Sequence, residues 1–242
     1  MKYAMITGAS SGIGREFARQ LARKGYSLIL VARRGKRLEK LAQELVKYRC
    51  QTEIITADLS QPKECVRVMK ETKEFPIKIF INNAGFGACG DFTDTDAATE
   101  LQMIDVNVKG VLTGTKAVLS DMIARNEGTI INISSIAGRK TFDNHSVYCG
   151  TKYAVHAMTE SMRREVSGSN VRMIVIAPGV VETPLLSHTS NQEIKDNYNL
   201  WKQEIDGGLE PSQIADCAWF AYQMPQEVCV REIVIAKTKQ AD

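Results

Sequence analysis

Short apolar runs recur along the whole chain, and most are followed by a stretch in which apolar residues have helical spacing. Most of the short runs are continuously apolar, which is typical of strands covered by helices on both faces. Strands that alternate with helices predict a parallel sheet. The sequence therefore predicts an α/β fold with a doubly wound, mostly parallel sheet of seven strands and about six helices. The strand-like runs are residues 3–7, 28–32, 53–57, 77–81, 129–133, 172–177 and 232–236.

Residues 1–242 are predicted to form a single domain, because no linker, repeat or low-complexity segment interrupts the alternation. Hydrophobic cores stop growing only above about 250 residues, so one core can accommodate the chain. One stretch, at about residues 184–211, departs from the pattern. An insertion of this length is usually a lid or binding loop, and we expect its large apolar side chains to border a substrate. They are Leu185, Leu186, Tyr198 and Trp201.

The composition narrows the class of protein mainly by exclusion. No apolar run approaches the roughly 18 residues that a membrane span requires, and the N-terminus lacks the parts of a secretion signal. We therefore expect a soluble, cytoplasmic protein without a membrane partner. Six scattered cysteines, without a Cys-x-x-Cys pair or a nearby histidine, predict free thiols and no metal site.

The net charge of +3 is unevenly distributed along the chain. Residues 15–49 hold 11 Lys or Arg against 3 Asp or Glu, whereas the remainder holds 20 against 25. A local basic excess suits either a nucleic-acid surface or the mouth of a site for an anionic cofactor. No zinc-finger, RRM or KH signature accompanies this excess, so we expect no nucleic-acid partner.

A glycine-rich turn joins the first predicted strand to the first predicted helix. Glycines let the backbone approach a pyrophosphate, and a helix N-terminus presents N–H groups and a partial positive charge to it. A tight turn without a ligand would also explain the glycines, so the motif alone is a weak signal. The turn reads Thr7-Gly8-Ala9-Ser10-Ser11-Gly12-Ile13-Gly14, and the candidate contacts are Gly8, Ser10, Ser11, Gly12, Ile13 and Gly14.

Three further segments stand at predicted strand ends, the edge at which open α/β sheets bind ligands. Each segment alone is compatible with an ordinary turn or helix cap. Together with the Thr-Gly-x3-Gly-x-Gly turn, they resemble the single-domain short-chain dehydrogenase/reductase family, which has a Rossmann fold. The resemblance implies that Asp58 and Leu59 contact the adenine and that Asn83, Ala84 and Gly85 lie beside the adenosine ribose. It also implies a segment over the nicotinamide, formed by Pro178, Gly179, Val180 and Thr183.

The end of the second predicted strand bears on the choice of coenzyme. NAD-dependent enzymes place Asp or Glu there to bind the ribose hydroxyls, whereas Arg accommodates the 2′-phosphate of NADP. The strand ends in Ala32-Arg33-Arg34, which favours NADP(H) over NAD(H), although two solvated surface arginines would look the same. Many NADP-dependent members of the resembled family also carry a basic residue just before the second glycine, where this chain has Ser11.

Tyr148 and Lys152 form a Tyr-x3-Lys pair on a predicted helix, where residues four apart share one face. A free tyrosine has a pKa of about 10, and the nearby Lys152, together with the positively charged nicotinamide of an oxidised cofactor, is expected to lower it towards neutrality. The pattern is common by chance, and its value comes from Ser135, which stands before Tyr148 at the separation that the resembled family shows. Successive strand residues face opposite sides of the sheet, so only one of the two serines can reach the substrate. Ser135 is assigned that role, and Ser134 is interpreted as a residue that packs within the sheet.

Asn107 completes the set of four that the resembled family uses. A polar side chain on an apolar helix face must be satisfied, and a core asparagine bonded to its own helix is the alternative interpretation. In the resembled family this residue holds a water that links the lysine to solvent. The apolar residues predicted on the same helix are Leu101, Ile104, Val108, Val111 and Leu112.

The resemblance implies hydride transfer between NADP(H) and a carbonyl or alcohol substrate, without a metal. Ser135 and Tyr148 would hydrogen-bond the carbonyl oxygen, Tyr148 would act as general acid or base, and Lys152 would bind the ribose hydroxyls. The alternative is an NADP-binding regulatory protein on the same fold without turnover. A nucleotide-sugar epimerase would need a separate substrate domain.

The remaining expectations concern the histidines and the assembly. His145 precedes Tyr148 by about one helical turn and is a candidate border of the substrate site, whereas His156 is interpreted as a packed helix residue. The resemblance also implies a homodimer or homotetramer. Its subunits would join through the helices at about residues 95–125 and 146–167.

Overall fold

Seven strands form a single sheet, and every pair of neighbouring strands is parallel. The computed structural model describes residues 2–185, 189 and 191–241. The strands are Tyr3–Thr7 (β1), Ser27–Ala32 (β2), Thr52–Thr56 (β3), Ile77–Asn82 (β4), Gly128–Ile133 (β5), Val171–Pro178 (β6) and Glu232–Ile235 (β7). Their order across the sheet is β3-β2-β1-β4-β5-β6-β7. The direction of winding reverses between β1 and β4, and such a switch point is where doubly wound sheets bind ligands.

Eight α-helices occur in the described ranges, and none of them is long and apolar enough to cross a membrane. They are Gly12–Arg23 (α1), Gly35–Leu45 (α2), Pro62–Thr72 (α3), Ala97–Ile104 (α4), Gly110–Ala124 (α5), Ser146–Glu165 (α6), Gln192–Glu204 (α7) and Pro211–Gln223 (α8). A π-helical turn at Asp105–Lys109 joins α4 to α5. The sequence pattern predicts about six helices because it treats α4 and α5 as one helix and places α7 within a loop.

Side chains of the central strands alternate between two cores. On one face Ala4 and Ile6 of β1 pack with Phe17 and Leu21 of α1, and α2 and α8 cover the same face. On the other face Met5 belongs to the core under α3 and α5. A strand between two cores needs apolar residues at successive positions, which explains the continuous apolar runs.

The predicted strand bounds agree with the observed bounds to within one residue at each end, and the doubly wound α/β fold is confirmed. The two edge strands differ from the others in burial. β3 and β7 are partly exposed, whereas every residue of β1, β2, β5 and β6 is buried.

The apolar face predicted around Asn107 is only partly buried within this chain. Val111 is buried, whereas Leu101 is 61% exposed and Ile104 and Leu112 are also exposed. The π-helical turn lies between these residues and holds more residues per turn than an α-helix, so the face is not the continuous stripe of a regular helix.

Candidate active site

A cavity of about 930 Å³ lies at the carboxyl ends of the strands and spans the switch point between β1 and β4. This volume is in the range of small-molecule binding sites. Every residue predicted to bind the coenzyme or to act in catalysis lines this one cavity, with the exceptions of Gly14 and Asn107. The fold therefore gathers segments that are far apart in sequence into a single site.

Two glycines of the turn after β1 have backbone conformations that other residues rarely adopt. The φ angle is +67° at Gly8 and +52° at Gly12. A Cβ atom at Gly8 would lie 2.8 Å from Asn83 Nδ2, and one at Gly12 would lie 3.0 Å from Thr183 Cγ2. Both the chain path and the close approach of neighbouring segments therefore require glycine. Gly14 does not line the cavity, but it allows the turn to pack closely on the start of α1, since a Cβ there would lie 2.5 Å from the Gly8 carbonyl oxygen.

Arg34 reaches this glycine turn from the end of β2. Its Nη2 donates to Ser11 Oγ at 2.7 Å and to Ser10 Oγ at 3.2 Å. Ser11 is the N-cap of α1, but its side chain makes no capping hydrogen bond, so the first-turn N–H groups are left for another acceptor. Burial, followed by repulsion from Arg37 and Arg33, lowers the pKa of Arg34. Clustered cations beside a helix N-terminus can hold an anionic group such as phosphate.

Ser135, Tyr148 and Lys152 meet in another part of the cavity. Lys152 Nζ lies 5.6 Å from the centre of the Tyr148 ring and donates to the Ile133 carbonyl oxygen at 3.1 Å. The Ser135 side chain hydrogen-bonds Tyr148. The Ser134 hydroxyl instead donates to the Lys152 carbonyl oxygen at 3.3 Å. Only Ser135 is therefore directed towards the phenol, as the alternation of faces along a strand predicts.

Burial controls the protonation of both ionisable groups. It raises the pKa of Tyr148 well above the ordinary value, and the hydrogen bond with Ser135 opposes this by a smaller amount. The lowered pKa predicted for Tyr148 is therefore not found in the protein alone, because removal from water outweighs the hydrogen bond with Ser135. Burial also lowers the pKa of Lys152 to about 8. At neutral pH the phenol is protonated and Lys152 is mostly charged.

Asn107 lies in the π-helical turn, and its amide is fully hydrogen-bonded. Its Oδ1 accepts from the Phe86 N–H at 3.1 Å, and its Nδ2 donates to the Phe86 carbonyl oxygen at 2.9 Å and to Thr151 Oγ1 at 3.2 Å. The side chain is thus bonded to the segment after β4 and to α6, not to its own helix. Because Thr151 precedes Lys152, Asn107 ties that segment to the part of α6 that carries Tyr148 and Lys152.

His145 and Cys89 form a hydrogen-bonded pair in the cavity wall beside Tyr148. Cys89 Sγ lies 2.9 Å from His145 Nε2, and His145 Nδ1 lies 2.7 Å from the Asp143 carbonyl oxygen. A carbonyl only accepts, so Nδ1 carries a proton, and in the neutral imidazole the thiol donates to Nε2. Burial raises the pKa of Cys89 to about 11, which keeps the thiol protonated. The ring centres of His145 and Tyr148 are 6.2 Å apart.

Helix α7 lies within the stretch predicted as a lid, and part of the apolar set predicted there lines the cavity. Tyr198 and Trp201 of α7 line it, with ring centres 5.7 Å apart, and Leu185 also contributes. Leu186, the fourth residue predicted to border the substrate, lies outside the described residues, as does His188. The aromatic residues of α7 therefore share one cavity with Tyr148.

Gln240 is a lining residue that sequence analysis does not identify. It follows β7 in a polar segment and belongs to no motif. The folded chain returns it to the segment after β6, where its Oε1 accepts from the Val180 N–H at 3.1 Å. A single glutamine gives no signal in a sequence, because only its partner in space defines its position.

A family model described as short chain dehydrogenase matches residues 2–194. An uncharacterized oxidoreductase of Staphylococcus saprophyticus is 41% identical, over 99% of this chain and 97% of its own. An NADP-dependent 3-hydroxy acid dehydrogenase of Schizosaccharomyces pombe is 34% identical, over 99% of this chain and 93% of its own. The X-ray structure of an alcohol dehydrogenase from the archaeon Thermococcus sibiricus, complexed with 5-hydroxy-NADP, is 28% identical with a TM-score of 0.88, covering 100% of this chain and 99% of that one.

A doubly wound sheet with a glycine turn and a large cavity at its switch point defines a nucleotide-binding class of α/β proteins. Within that class, this chain belongs to the short-chain dehydrogenase/reductase family, a family of oxidoreductases. The family relationship predicted from the sequence motifs is confirmed.

Proposed function

We propose that this protein transfers a hydride between NADP(H) and a carbonyl or alcohol substrate, with Tyr148 as the general acid or base. The observation that carries the proposal is the meeting of Ser135, Tyr148 and Lys152 in the cavity that also contains the glycine turn and Arg34. Proton-transfer groups and an anion-binding end in one cavity are what an enzyme of this kind requires.

NADP(H) fits the residues at the β2 side of the cavity. Gly8 and Gly12 leave space at the start of α1, where a pyrophosphate can approach the backbone. Arg33 and Arg34 supply the positive charge for a 2′-phosphate, and Ala32 stands where a carboxylate would bind the hydroxyls of NAD. The Schizosaccharomyces pombe relative is an NADP-dependent enzyme, and the Thermococcus sibiricus structure carries 5-hydroxy-NADP. Both favour the same assignment.

The other lining segments are assigned to the remaining parts of the coenzyme. The adenine is assigned to the residues after β3, the adenosine ribose to those after β4, and the nicotinamide to those after β6. These residues are Asp58 and Leu59, then Asn83, Ala84 and Gly85, then Pro178, Gly179, Val180 and Thr183. The pyrophosphate is assigned to Gly8 and Gly12 together with Ser10, Ser11 and Ile13, which line the same part of the cavity.

Tyr148 and Ser135 carry out the chemistry at the substrate oxygen. When bound, the nicotinamide supplies the hydride in reduction and accepts it in oxidation. The hydroxyls of Ser135 and Tyr148 donate hydrogen bonds to the carbonyl oxygen and stabilise the negative charge that develops there. Tyr148 then delivers its proton to this oxygen, and its raised pKa keeps that proton available at neutral pH. In oxidation the phenolate of Tyr148 accepts the proton of the alcohol.

Lys152 and Asn107 support the phenol in different ways. Lys152 binds the ribose hydroxyls, and its charge, 5.6 Å from the Tyr148 ring, stabilises the phenolate. Because the pKa of Lys152 is about 8, its ammonium group is mostly protonated at neutral pH. Asn107 is a positioning residue, because its bonds to Phe86 and Thr151 hold α6 in place beside the segment after β4.

The substrate end of the cavity suits an uncharged or weakly polar carbonyl compound. Residues at about 184–211 act as the lid, with Leu185, Tyr198 and Trp201 in contact with the substrate space. The hydrogen-bonded pair of His145 and Cys89 gives this wall polar groups beside Tyr148. A second candidate class of substrate is 3-hydroxy acids, because the Schizosaccharomyces pombe relative is a 3-hydroxy acid dehydrogenase.

A homodimer or homotetramer is part of the proposal. Leu101, Ile104 and Leu112 are exposed on α4 and α5, and Tyr153 is exposed on α6. α4 packs against α6, so these side chains belong to neighbouring helices. Exposed apolar side chains grouped in this way mark a protein interface.

The test is a spectrophotometric screen of aldehydes, ketones and hydroxy acids with NADPH, NADP, NADH and NAD. We expect turnover of at least one carbonyl compound, preference for NADPH over NADH, and loss of turnover in Tyr148→Phe. The alternative, a regulatory protein on the same fold, predicts tight binding of NADPH without turnover of any compound in the screen. That result would contradict the proposed activity while leaving the coenzyme assignment intact.

A further inference from the structure

Gln240 packs against the backbone of the segment after β6. It is only 7% exposed, and its Oε1 accepts from the Val180 N–H at 3.1 Å. The backbone N–H of Gln240 donates to the Lys237 carbonyl oxygen at 2.9 Å, which turns the chain back towards the sheet after β7. Gly179 makes the approach possible, because a Cβ there would overlap the Gln240 side chain and lie 2.9 Å from Ala236 Cβ.

The segment that Gln240 contacts is bonded on its other side to the serine of the proposed catalytic set. Ser135 Oγ donates to the Pro178 carbonyl oxygen at 3.4 Å. The residues from Pro178 to Val180 therefore lie between Ser135 and Gln240. Val180 is only 8% exposed, so loss of the Gln240 acceptor would leave a buried N–H unsatisfied. The segment would have to move to recover a hydrogen bond.

We propose that Gln240 is a positioning residue for the nicotinamide half of the coenzyme, acting through the Val180 N–H and the segment from Pro178 to Val180. This inference rests on the proposed NADP(H) function. Arg33 and Arg34 follow β2, and three strands (β1, β4 and β5) separate β2 from β6. Gln240 therefore acts on one half of the coenzyme and not on the half that carries the 2′-phosphate.

Calorimetric titration with two ligands distinguishes the contributions of the two halves of the coenzyme to binding. NADPH contains both, whereas 2′,5′-ADP keeps the phosphorylated ribose and lacks the nicotinamide. Gln240→Met preserves the length of the side chain without an acceptor oxygen, and Gln240→Glu preserves the acceptor. The matched control is Gln226→Met, because Gln226 also bonds the backbone, donating to the Gly128 and Asn170 carbonyl oxygens, but at the opposite end of the sheet.

We expect Gln240→Met to raise the Kd for NADPH by about 5- to 50-fold, the effect of one unsatisfied buried donor, and to lower kcat. Its Kd for 2′,5′-ADP should stay within about twofold of wild type. Gln240→Glu should recover part of the lost affinity, and Gln226→Met should change neither ligand.

Two results would overturn the role of Gln240. One is wild-type affinity for NADPH and wild-type kcat in Gln240→Met, and the other is an equal loss of NADPH and 2′,5′-ADP. Failure of the wild-type protein itself to bind NADPH would refute the proposed coenzyme, and the inference with it. The wild-type titration therefore distinguishes the two failures.

Discussion

The guanidinium of Arg34 donates to Ser11 Oγ at 2.7 Å and so couples the end of β2 to the N-cap of α1. The same guanidinium contacts Ser10, and Arg33 lines the cavity next to it. Positive charge is thereby held beside the N–H groups at the start of α1. A phosphate placed there would meet cations and helix N–H groups together.

The first prediction concerns these arginines. Each charge-assisted hydrogen bond to the 2′-phosphate contributes about 1.5 to 3 kcal/mol, so Arg33→Ala and Arg34→Ala should each weaken NADPH about tenfold to a hundredfold. NADH lacks this phosphate and should be affected far less. The difference should shrink with added salt, because a partly exposed ion pair is screened. Fluorescence titration of both reduced coenzymes measures the effect.

Arg23→Ala is the control for loss of charge alone, since Arg23 lies at the opposite end of α1, where it donates to the Arg19 carbonyl oxygen. It should leave both affinities unchanged. Ala32→Asp should repel the phosphate while offering an acceptor to ribose hydroxyls, and should shift the preference towards NADH. An equal loss of NADPH and NADH in both arginine variants would show that these arginines do not select the coenzyme.

The second prediction separates the two adjacent serines. Ser135→Ala removes a donor to the substrate oxygen and should lower kcat by about 10² to 10³. Ser134→Ala removes only a bond to the Lys152 carbonyl oxygen and should cost much less. Steady-state kinetics of the two variants gives the comparison. A larger loss in Ser134→Ala would mean that the wrong serine has been assigned to the substrate.

The third prediction concerns pH. Burial raises the pKa of Tyr148, so the protonated phenol needed for reduction is fully present at neutral pH and declines only at alkaline pH. Oxidation needs the phenolate, whose fraction rises about tenfold per pH unit below the pKa. kcat/KM for alcohol oxidation should therefore rise from pH ~6 to pH ~8, above which Lys152, with a pKa of about 8, loses the charge that stabilises the phenolate, while kcat/KM for reduction stays nearly level over the same range. An oxidation rate independent of pH over this range would contradict the assignment of Tyr148 as base.

The fourth prediction is the oligomeric state. Leu101 is 61% exposed, and burial of such a side chain stabilises an association by about 1.5 to 3 kcal/mol. Light scattering should give a mass of at least twice 26.8 kDa for the wild type. Leu101→Glu should shift the protein towards the monomer, whereas Val46→Glu, an exposed position after α2, should not. A wild-type monomer at micromolar concentration would refute the proposed assembly.

The strands were predictable because each central strand needs apolar residues on both faces, and few other elements leave that pattern. The gathering of the candidate site residues was predictable because they follow parallel strands, and the carboxyl ends of parallel strands lie at one edge of the sheet. The Arg34–Ser11 contact was not predictable. The sequence shows only a serine at position 11, whereas the fold brings a guanidinium to that side chain from the next strand.

Contacts between distant segments account for the other differences. The pairing of Asn107 with Phe86 and Thr151 depends on the π-helical turn, which no apolar spacing indicates. The direction of the Tyr148 pKa depends on burial, which a Tyr-x3-Lys pattern does not specify. Gln240 belongs to no motif and is identified only by its bond to Val180.

The central claim, that Tyr148 transfers the proton, is tested most directly by Tyr148→Phe with a carbonyl compound that the wild-type protein reduces. Single-turnover oxidation of NADPH measures the chemical step, and fluorescence titration of the same preparation measures coenzyme affinity. We predict a loss of about 10² to 10⁴ in the single-turnover rate, the contribution of one general acid, with the Kd for NADPH within about threefold of wild type. A single-turnover rate above about a tenth of the wild-type value would contradict the claim.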